Sequence, residues 1–466
     1  MTQLIPNFIN GEAVTTKNSI PKFNPFTNEV LNNLSHSEPL DFIKSIQPAQ
    51  KAFVEWKSST LDDRLQLLEK VKSKLIEHNN QLIRATATDL ALPLHFVEAA
   101  DFNVAIQKLD LLHSELLGHR PNQPNGPVQF SAVGPMGFVL SSNFPLRLFI
   151  ENVVPAILAG NSAIVKFSST SASFIAVLIQ VLVELNLTKG LIQIISGSDP
   201  NFKNFFVTHP GLKALCVTGS NETLQAIQKK VSSHFSQQYK KIKFLGGSKN
   251  LAVVLKEVDQ HQGDQIFESF MLGQGQLHWN SARLFVLEKN QKQWVDFLTD
   301  KMQNLRPSQS IEDTSMWTPI FKPQSVSHNK YAEINQQAKA DQAKLMTPKS
   351  IDAGNFLEPI FTQDMSNCSA LQQDQVHSPL FILSAAKYPF DIPKYANVSY
   401  YGDTANIWYD GEAGQKVIVG LDVANISINK WSIYLANQVA GVKQSSFGIT
   451  DHRIFGAFYS NAKSLT

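Results

Sequence analysis

The chain opens with short alternating stretches. Phe8-Ile-Asn-Gly-Glu reads as a hairpin whose turn is Asn10-Gly11. From about Asp41 to Leu112 the apolar residues instead recur at helical spacing, most clearly in Leu61-Asp-Asp-Arg-Leu-Gln-Leu-Leu-Glu-Lys-Val71. Arg120-Pro-Asn-Gln-Pro-Asn-Gly-Pro127 is turn-forming throughout and marks a boundary. Beyond it the pattern changes to short apolar runs: Gly137–Leu140, Ser162–Val165, Leu191–Ile195, Lys213–Val217 and Ile242–Leu245. Each pair is separated by enough chain for one helix, which predicts parallel β/α units. A second such region follows His278, with strands near Leu284–Leu287, Leu380–Leu383 and Ile426–Asn429. Two α/β domains are expected.

Composition narrows this picture. With 466 residues, 43% hydrophobic and 17% charged, the chain can fill more than one core, which excludes disorder as its main state. The formal charge of +2 gives no whole-chain electrostatic case for nucleic acid or an anionic membrane. Two cysteines, Cys216 and Cys368, are too few and too far apart for a disulfide framework or a metal cluster, and a reducing, cytoplasmic setting is expected. The start lacks a signal-peptide pattern, and the most apolar stretches are broken by Glu151, Pro155, Gln180 and Glu184, so no membrane span is expected. No glycine-rich nucleotide fingerprint, P-loop, zincin or nucleophile-elbow motif can be read, and the 12 histidines show no paired ligand spacing; no metal is expected.

A series of ordered motifs carries more. Asn24-Pro-Phe-Thr-Asn-Glu-Val30, Pro135-Met-Gly-Phe-Val, Ser142-Asn-Phe-Pro-Leu146 and Pro155-Ala-Ile-Leu-Ala-Gly-Asn161 with Ile164-Val-Lys166 come first. Val217-Thr-Gly-Ser220, Leu245-Gly-Gly-Ser248, Gly275-Gln276 with Arg283, Gly441-Val-Lys-Gln-Ser-Ser-Phe-Gly448 and Asn461-Ala-Lys463 follow. In order and spacing this series resembles the NAD(P)-dependent aldehyde dehydrogenase superfamily nearly end to end. The Gly-Gly-Ser248 loop and Asn-Ala-Lys ending are most similar to succinate-semialdehyde-type members.

The resemblance implies a fold of two Rossmann-like α/β domains plus a β-arm. The cofactor-binding-type domain would comprise 1–113 and 133–245, the catalytic-type domain 246–440, and the oligomerisation arm 114–132 and 441–466, giving a homodimer or homotetramer. It also implies oxidation of a small aldehyde to an acid. That chemistry needs a thiolate nucleophile, a carboxylate to activate water, and amide donors for the oxyanion. Carried onto this chain, the oxyanion asparagine is Asn143, the nucleophile position is His278 and the general-base position is Phe244. Both reactive groups are replaced.

On the cofactor side Lys166 is retained, and Ser169 stands where NAD-type members carry a ribose-binding glutamate, which favours NADP over NAD. Gly219 and Ser220 form the phosphate-side turn, Leu224 replaces a glycine there, and Gln375 and His377 replace the glutamate and aromatic of the nicotinamide-ribose motif. Nucleotide binding is therefore expected to be weakened or lost. Glu151 sits where semialdehyde members carry a carboxylate-binding arginine, so a dicarboxylic semialdehyde is disfavoured. Plainer readings remain open: Asn143 as a helix cap, Lys166 as a solvated strand end, Gly246-Gly247 as a turn. Three functions follow: a non-catalytic member, an NADP oxidoreductase in which His278 assists without a covalent intermediate, or a hydrolase using His278 as base.

Overall fold

The structure is a computed structural model that describes residues 3–118, 128–198, 200–233, 239–321, 324–341, 344–346, 355–363, 365–450 and 452–464. The boundary segment Arg120–Pro127 lies outside these residues. The chain divides into two compact units. Unit 1 is Met1–Asp89, Leu94–Gly246 and Phe447–Thr466; unit 2 is Leu90–Pro93 and Gly247–Ser446.

In unit 1 the opening hairpin forms as β1 (Asn7–Ile9) and β2 (Glu12–Val14). Asn10 and Gly11 both take positive φ, 55° and 81°, which the twist of a two-residue hairpin turn requires. Three long helices follow: α1 (Pro39–Trp56), α2 (Leu61–Glu77) and, later, α3 (Asn103–Gly118). The start of α2 is fixed by a reciprocal cap between Thr60 and Asp63, and Leu67, Leu68, Val71 and Leu75 form its buried stripe. Because α3 runs to Gly118, residues 114–118, placed in the extended arm by the sequence reading, are helical. The apolar period of Leu109, Leu112 and Leu116, all buried, carries the helix through them.

The sheet of unit 1 is built on β3 (Pro135–Leu140), β4 (Ser162–Phe167), β5 (Ile192–Ile194), β6 (Ala214–Thr218) and β7 (Lys241–Leu245), in spatial order β7-β6-β3-β4-β5 with β1 and β2 beyond β5. The neighbours from β7 to β5 pair in parallel, and every residue of β6 is buried, as expected for a strand covered on both faces. Helices α4 (Pro145–Leu158), α5 (Ala172–Leu185) and α6 (Asn221–Ser232) lie between successive strands. One core cluster joins Phe42 of α1 to Ile164, Leu215, Phe202 and Phe206. The strand Val128–Ala132 pairs antiparallel with Ser460–Ser464 as a two-stranded ribbon.

Unit 2 repeats the plan. Its strands β8 (Asn250–Val254), β9 (Ser281–Leu287), β10 (Ile360–Gln363), β11 (Leu380–Ala386), β12 (Thr404–Trp408) and β13 (Asn425–Ile428) order as β10-β11-β9-β8-β12-β13, all parallel. Helix α7 (Gln260–Met271), capped by Asp259, leads into the His278 loop and packs Ile266, Phe267 and Phe270 against Phe381 and Trp408. Among the described residues no helix is long and apolar enough to cross a membrane.

Candidate functional site

The site residues named from sequence fall into both units. Asn143, Lys166, Ser169, Gly219, Ser220 and Phe244 belong to unit 1; His278, Gln375 and His377 belong to unit 2.

In unit 1, Asn143 lies in the turn between β3 and α4. It is not the helix cap: that place is Phe144, held at φ 53° with no side-chain cap bond. Lys166 is half-buried near the end of β4. Burial, with Lys203 nearby, lowers its ammonium pKa to about 8, and its Nζ donates to the Phe167 carbonyl at 3.4 Å. The side chain is thus partly, not fully, solvated. Ser169 opens a short 3-10 turn, Ser169–Ser171, whose start is held by the Ser168 hydroxyl.

Gly219 and Ser220 make the turn from β6 into α6, and the Gly219 N–H donates to the Leu245 carbonyl at 3.1 Å. Ser220 is the N-cap and makes no side-chain cap bond; its hydroxyl lies 3.3 Å from Thr223 Oγ1. A helix N-terminus suits a phosphate, but Glu222 in the same first turn opposes one in charge.

Leu224 is 7% exposed and packs with Val217 and Phe244 in one apolar cluster. Phe244 itself, near the end of β7, is 1% exposed, and its ring lies 6.1 Å from that of Phe447. Glu151 is less repulsive than its sequence position suggests, because Arg147 Nε donates to it at 2.9 Å one helical turn away. The Arg147 N–H also bonds Asp101, whose carboxyl burial raises to about 7.

In unit 2 the loop before His278 is wound through three successive positive-φ residues, Gly273 (62°), Gln274 (52°) and Gly275 (69°). Such a conformation costs energy for Gln274 and persists only if its surroundings impose it. Here Gln274 is clamped, donating to the Thr318 carbonyl and accepting from the Leu357 N–H at 2.6 Å. A Cβ on Gly275 would collide with the Ser378 carbonyl, so only glycine fits. Asn280 closes the loop: it accepts from the Leu277 N–H at 2.8 Å and donates to the Ser269 and Leu272 carbonyls, both at 3.0 Å.

His278 stands on this frame. Its carbonyl accepts from Ser248 Oγ at 2.6 Å and Asn250 Nδ2 at 2.8 Å, and its ring meets Trp279 edge-on. Its side chain is 26% exposed, and Nε2 lies 3.0 Å from Asp403 Oδ2. Sequence reasoning missed Asp403. It lies 125 residues from His278 in a strand connection, and no local pattern links the two. Gln375 and His377 lie in the loop before β11. A Cβ on Gly247 would strike Gln375 Oε1 and come within 2.9 Å of the Tyr401 ring, so close packing against these two side chains favours the second glycine of the pair.

Neither cysteine enters this arrangement. Cys216 is buried in β6, where desolvation raises its thiol pKa to about 11, and Cys368 is exposed in a turn of unit 2. A cluster of metal-ligating type, Glu77, His78 and Glu184, sits on unit 1, but the Lys74 ammonium already pairs with both carboxylates, at 2.8 and 3.1 Å.

The chain is 23% identical over 484 residues to a 2-aminomuconic semialdehyde dehydrogenase of Danio rerio, covering 99% of this chain and 98% of that protein. It superposes with a TM-score of 0.89 on an NAD+ complex of an aldehyde dehydrogenase from Bacillus cereus, at 20% identity and covering 99% and 96% of the two chains. A lactaldehyde dehydrogenase from Escherichia coli gives a TM-score of 0.88 at 19% identity, covering 100% and 99%. The fold is thus the α/β aldehyde dehydrogenase fold. The family model described as "Aldehyde dehydrogenase family" matches residues 12–465, and on that near-complete match the chain belongs to the aldehyde dehydrogenase family.

Proposed function

We propose that this chain is a member of its family that does not carry out thiol-dependent aldehyde oxidation. One observation carries the reading: Phe244, at the place the resemblance gives to the general base, is packed with Leu224 and Val217 in an apolar cluster. Two departures from the family pattern are thereby filled by one contact, which is how a site looks when packing has replaced chemistry. His278 at the nucleophile place supports the same conclusion, as does the inert setting of Cys216. Residues 1–113 and 133–245 would be the cofactor-type domain and 246–440 the catalytic-type domain. The ribbon of 128–132 with 460–464, inside the arm segments 114–132 and 441–466, would join copies into a homodimer or homotetramer, since among the described residues its two strands pair only with each other.

If nucleotide binds, the α6 N-terminus, Ser220 and Lys166 would hold its phosphates and ribose; Ser169 leaves out the carboxylate that favours NAD, so NADP is the better fit. The Bacillus cereus relative is an NAD+ complex. Glu222 and Gln375 would make the binding weak. Succinate-semialdehyde-type substrates remain disfavoured, although Arg147 shields Glu151.

A second reading rests on the Asp403 contact. A bound nicotinamide would supply a hydride acceptor, and His278, oriented by Asp403, would take the proton from an aldehyde hydrate or, in a hydrolase, from water. The test is a panel of small aldehydes assayed with NAD and NADP, beside calorimetric titration of both nucleotides and an ester hydrolysis assay. The non-catalytic reading expects no turnover in any arm. Steady turnover abolished in His278→Gln would replace it with the second reading.

A further inference from the structure

Lys249 and Arg283, in unit 2, are each buried to within 2% of full burial, and each leaves a donor unused. Among the described residues Lys249 Nζ and Arg283 Nε have no hydrogen-bond partner. The remaining Arg283 groups are engaged: Nη1 donates to the Ala396 carbonyl at 2.7 Å and Nη2 to the Lys249 carbonyl at 2.9 Å. The two cations act on each other, and Lys443, whose Nζ bonds the Asn397 and Ser399 carbonyls, adds a third positive charge beside Arg283. The opposing charge at Lys249 is Asp374. Its Oδ1 already accepts from the Tyr401 hydroxyl at 2.9 Å and the Gln375 N–H at 2.7 Å, and it makes no bond to Lys249. Asp422 faces Lys443 at 3.7 Å and is itself exposed.

Buried donors are almost always satisfied, and buried like charges require compensation, since an unpaired ion in a low-dielectric interior costs several kcal/mol. Asp374 is exposed, so solvent screens what it offers Lys249, and the two buried cations keep an excess of positive charge. We propose that Lys249 Nζ and Arg283 Nε form a binding site for one small inorganic anion of chloride size. The small size follows from the complete burial of both donors.

The site has a consequence for the His278 loop. Lys249 lies between Ser248 and Asn250, the two residues whose side chains hold the His278 carbonyl. An anion on Lys249 therefore anchors the backbone between the two residues that hold the His278 carbonyl. An uncharged Lys249 is the other way to relieve the repulsion. Burial does lower its ammonium pKa to about 7, and that alternative predicts no anion dependence.

The experiment uses the full chain. Melting temperatures are measured in sodium gluconate and sodium chloride at equal ionic strength, for wild type and Lys249→Met. At a hundredfold excess over Kd, chloride should raise the wild-type midpoint by about 3 °C and leave the variant within about 1 °C. A bromide-soaked crystal should show an anomalous peak within hydrogen-bond distance of both nitrogens, a readout that needs no variant. Equal salt shifts in the two proteins, or no bromide at these nitrogens, would overturn the proposal. Neither outcome bears on the aldehyde assays.

Discussion

Replacing Phe244 by Glu puts back the group that the family resemblance sets at this position, and the packing here says what it would cost. Phe244 is 1% exposed between Val217 and Leu224. Loss of a buried phenylalanine ring costs about 3–5 kcal/mol, and the glutamate methylenes recover part, so about 3 kcal/mol is expected before charge is considered. A carboxyl in such surroundings has its pKa raised, by about three units if the cluster stays dry. The sign follows from linkage. Below the unfolded value of about 4.3 both states hold the proton and no charge penalty exists. As pH rises the penalty grows by about 1.4 kcal/mol per unit until the folded pKa near 7, reaching about 4 kcal/mol and staying there. Phe244→Glu should therefore lose about 3 kcal/mol at pH 4 and about 7 kcal/mol at pH 8, close to the whole stability of many domains. Urea unfolding at a series of pH values, followed by tryptophan fluorescence, measures this directly. A variant as stable as wild type at pH 8, or one whose deficit does not change between pH 4 and 8, would mean that water reaches position 244. The claim that packing has replaced chemistry there would then be wrong.

Other consequences can be measured in the same preparations. His278→Cys alone should not restore steady aldehyde turnover with NAD or NADP, because no carboxylate stands at position 244 to hydrolyse a thioester; at most one equivalent of reduced cofactor would form, and continuous turnover would refute the account. Asn280→Ala removes three loop hydrogen bonds and leaves a buried N–H and two carbonyls behind, so a loss of about 2–4 kcal/mol in denaturant unfolding is expected. Gly275→Ala should destabilise as well, since its Cβ meets the Ser378 carbonyl at a φ of 69°, and an unchanged melting temperature would show the loop to be slack. The His78–Glu184 contact, 3.0 Å long, raises the His78 pKa, chiefly through that hydrogen bond. Its stabilisation is complete below about pH 6.5 and is lost as pH rises through the raised value. The melting-temperature gap between wild type and His78→Gln should accordingly be largest near pH 5–6 and close above it.

What the sequence determined by itself was local. Asn10-Gly11 dictated a hairpin because those residues accept positive φ, and the Thr60/Asp63 pair dictated where a helix starts. Apolar runs such as Ala214–Val217 and Leu380–Leu383 dictated buried parallel strands, since only a strand covered on both faces can be apolar throughout. The order of the motifs also carried the family, because backbone turns and strand ends sit at fixed intervals along the chain. Other features were decided by contacts across long sequence separations, which no local pattern encodes. Leu224 read as a replaced glycine at a helix start; tertiary packing set it against Phe244. Asp403 had no sequence signal at all, because its meaning is its 3.0 Å distance from an imidazole 125 residues away. Nothing in the local sequence sets Lys249 apart from other charged residues. Only folding buried it against Arg283, and burial is what makes a charge consequential, since the surrounding dielectric sets the strength of its field.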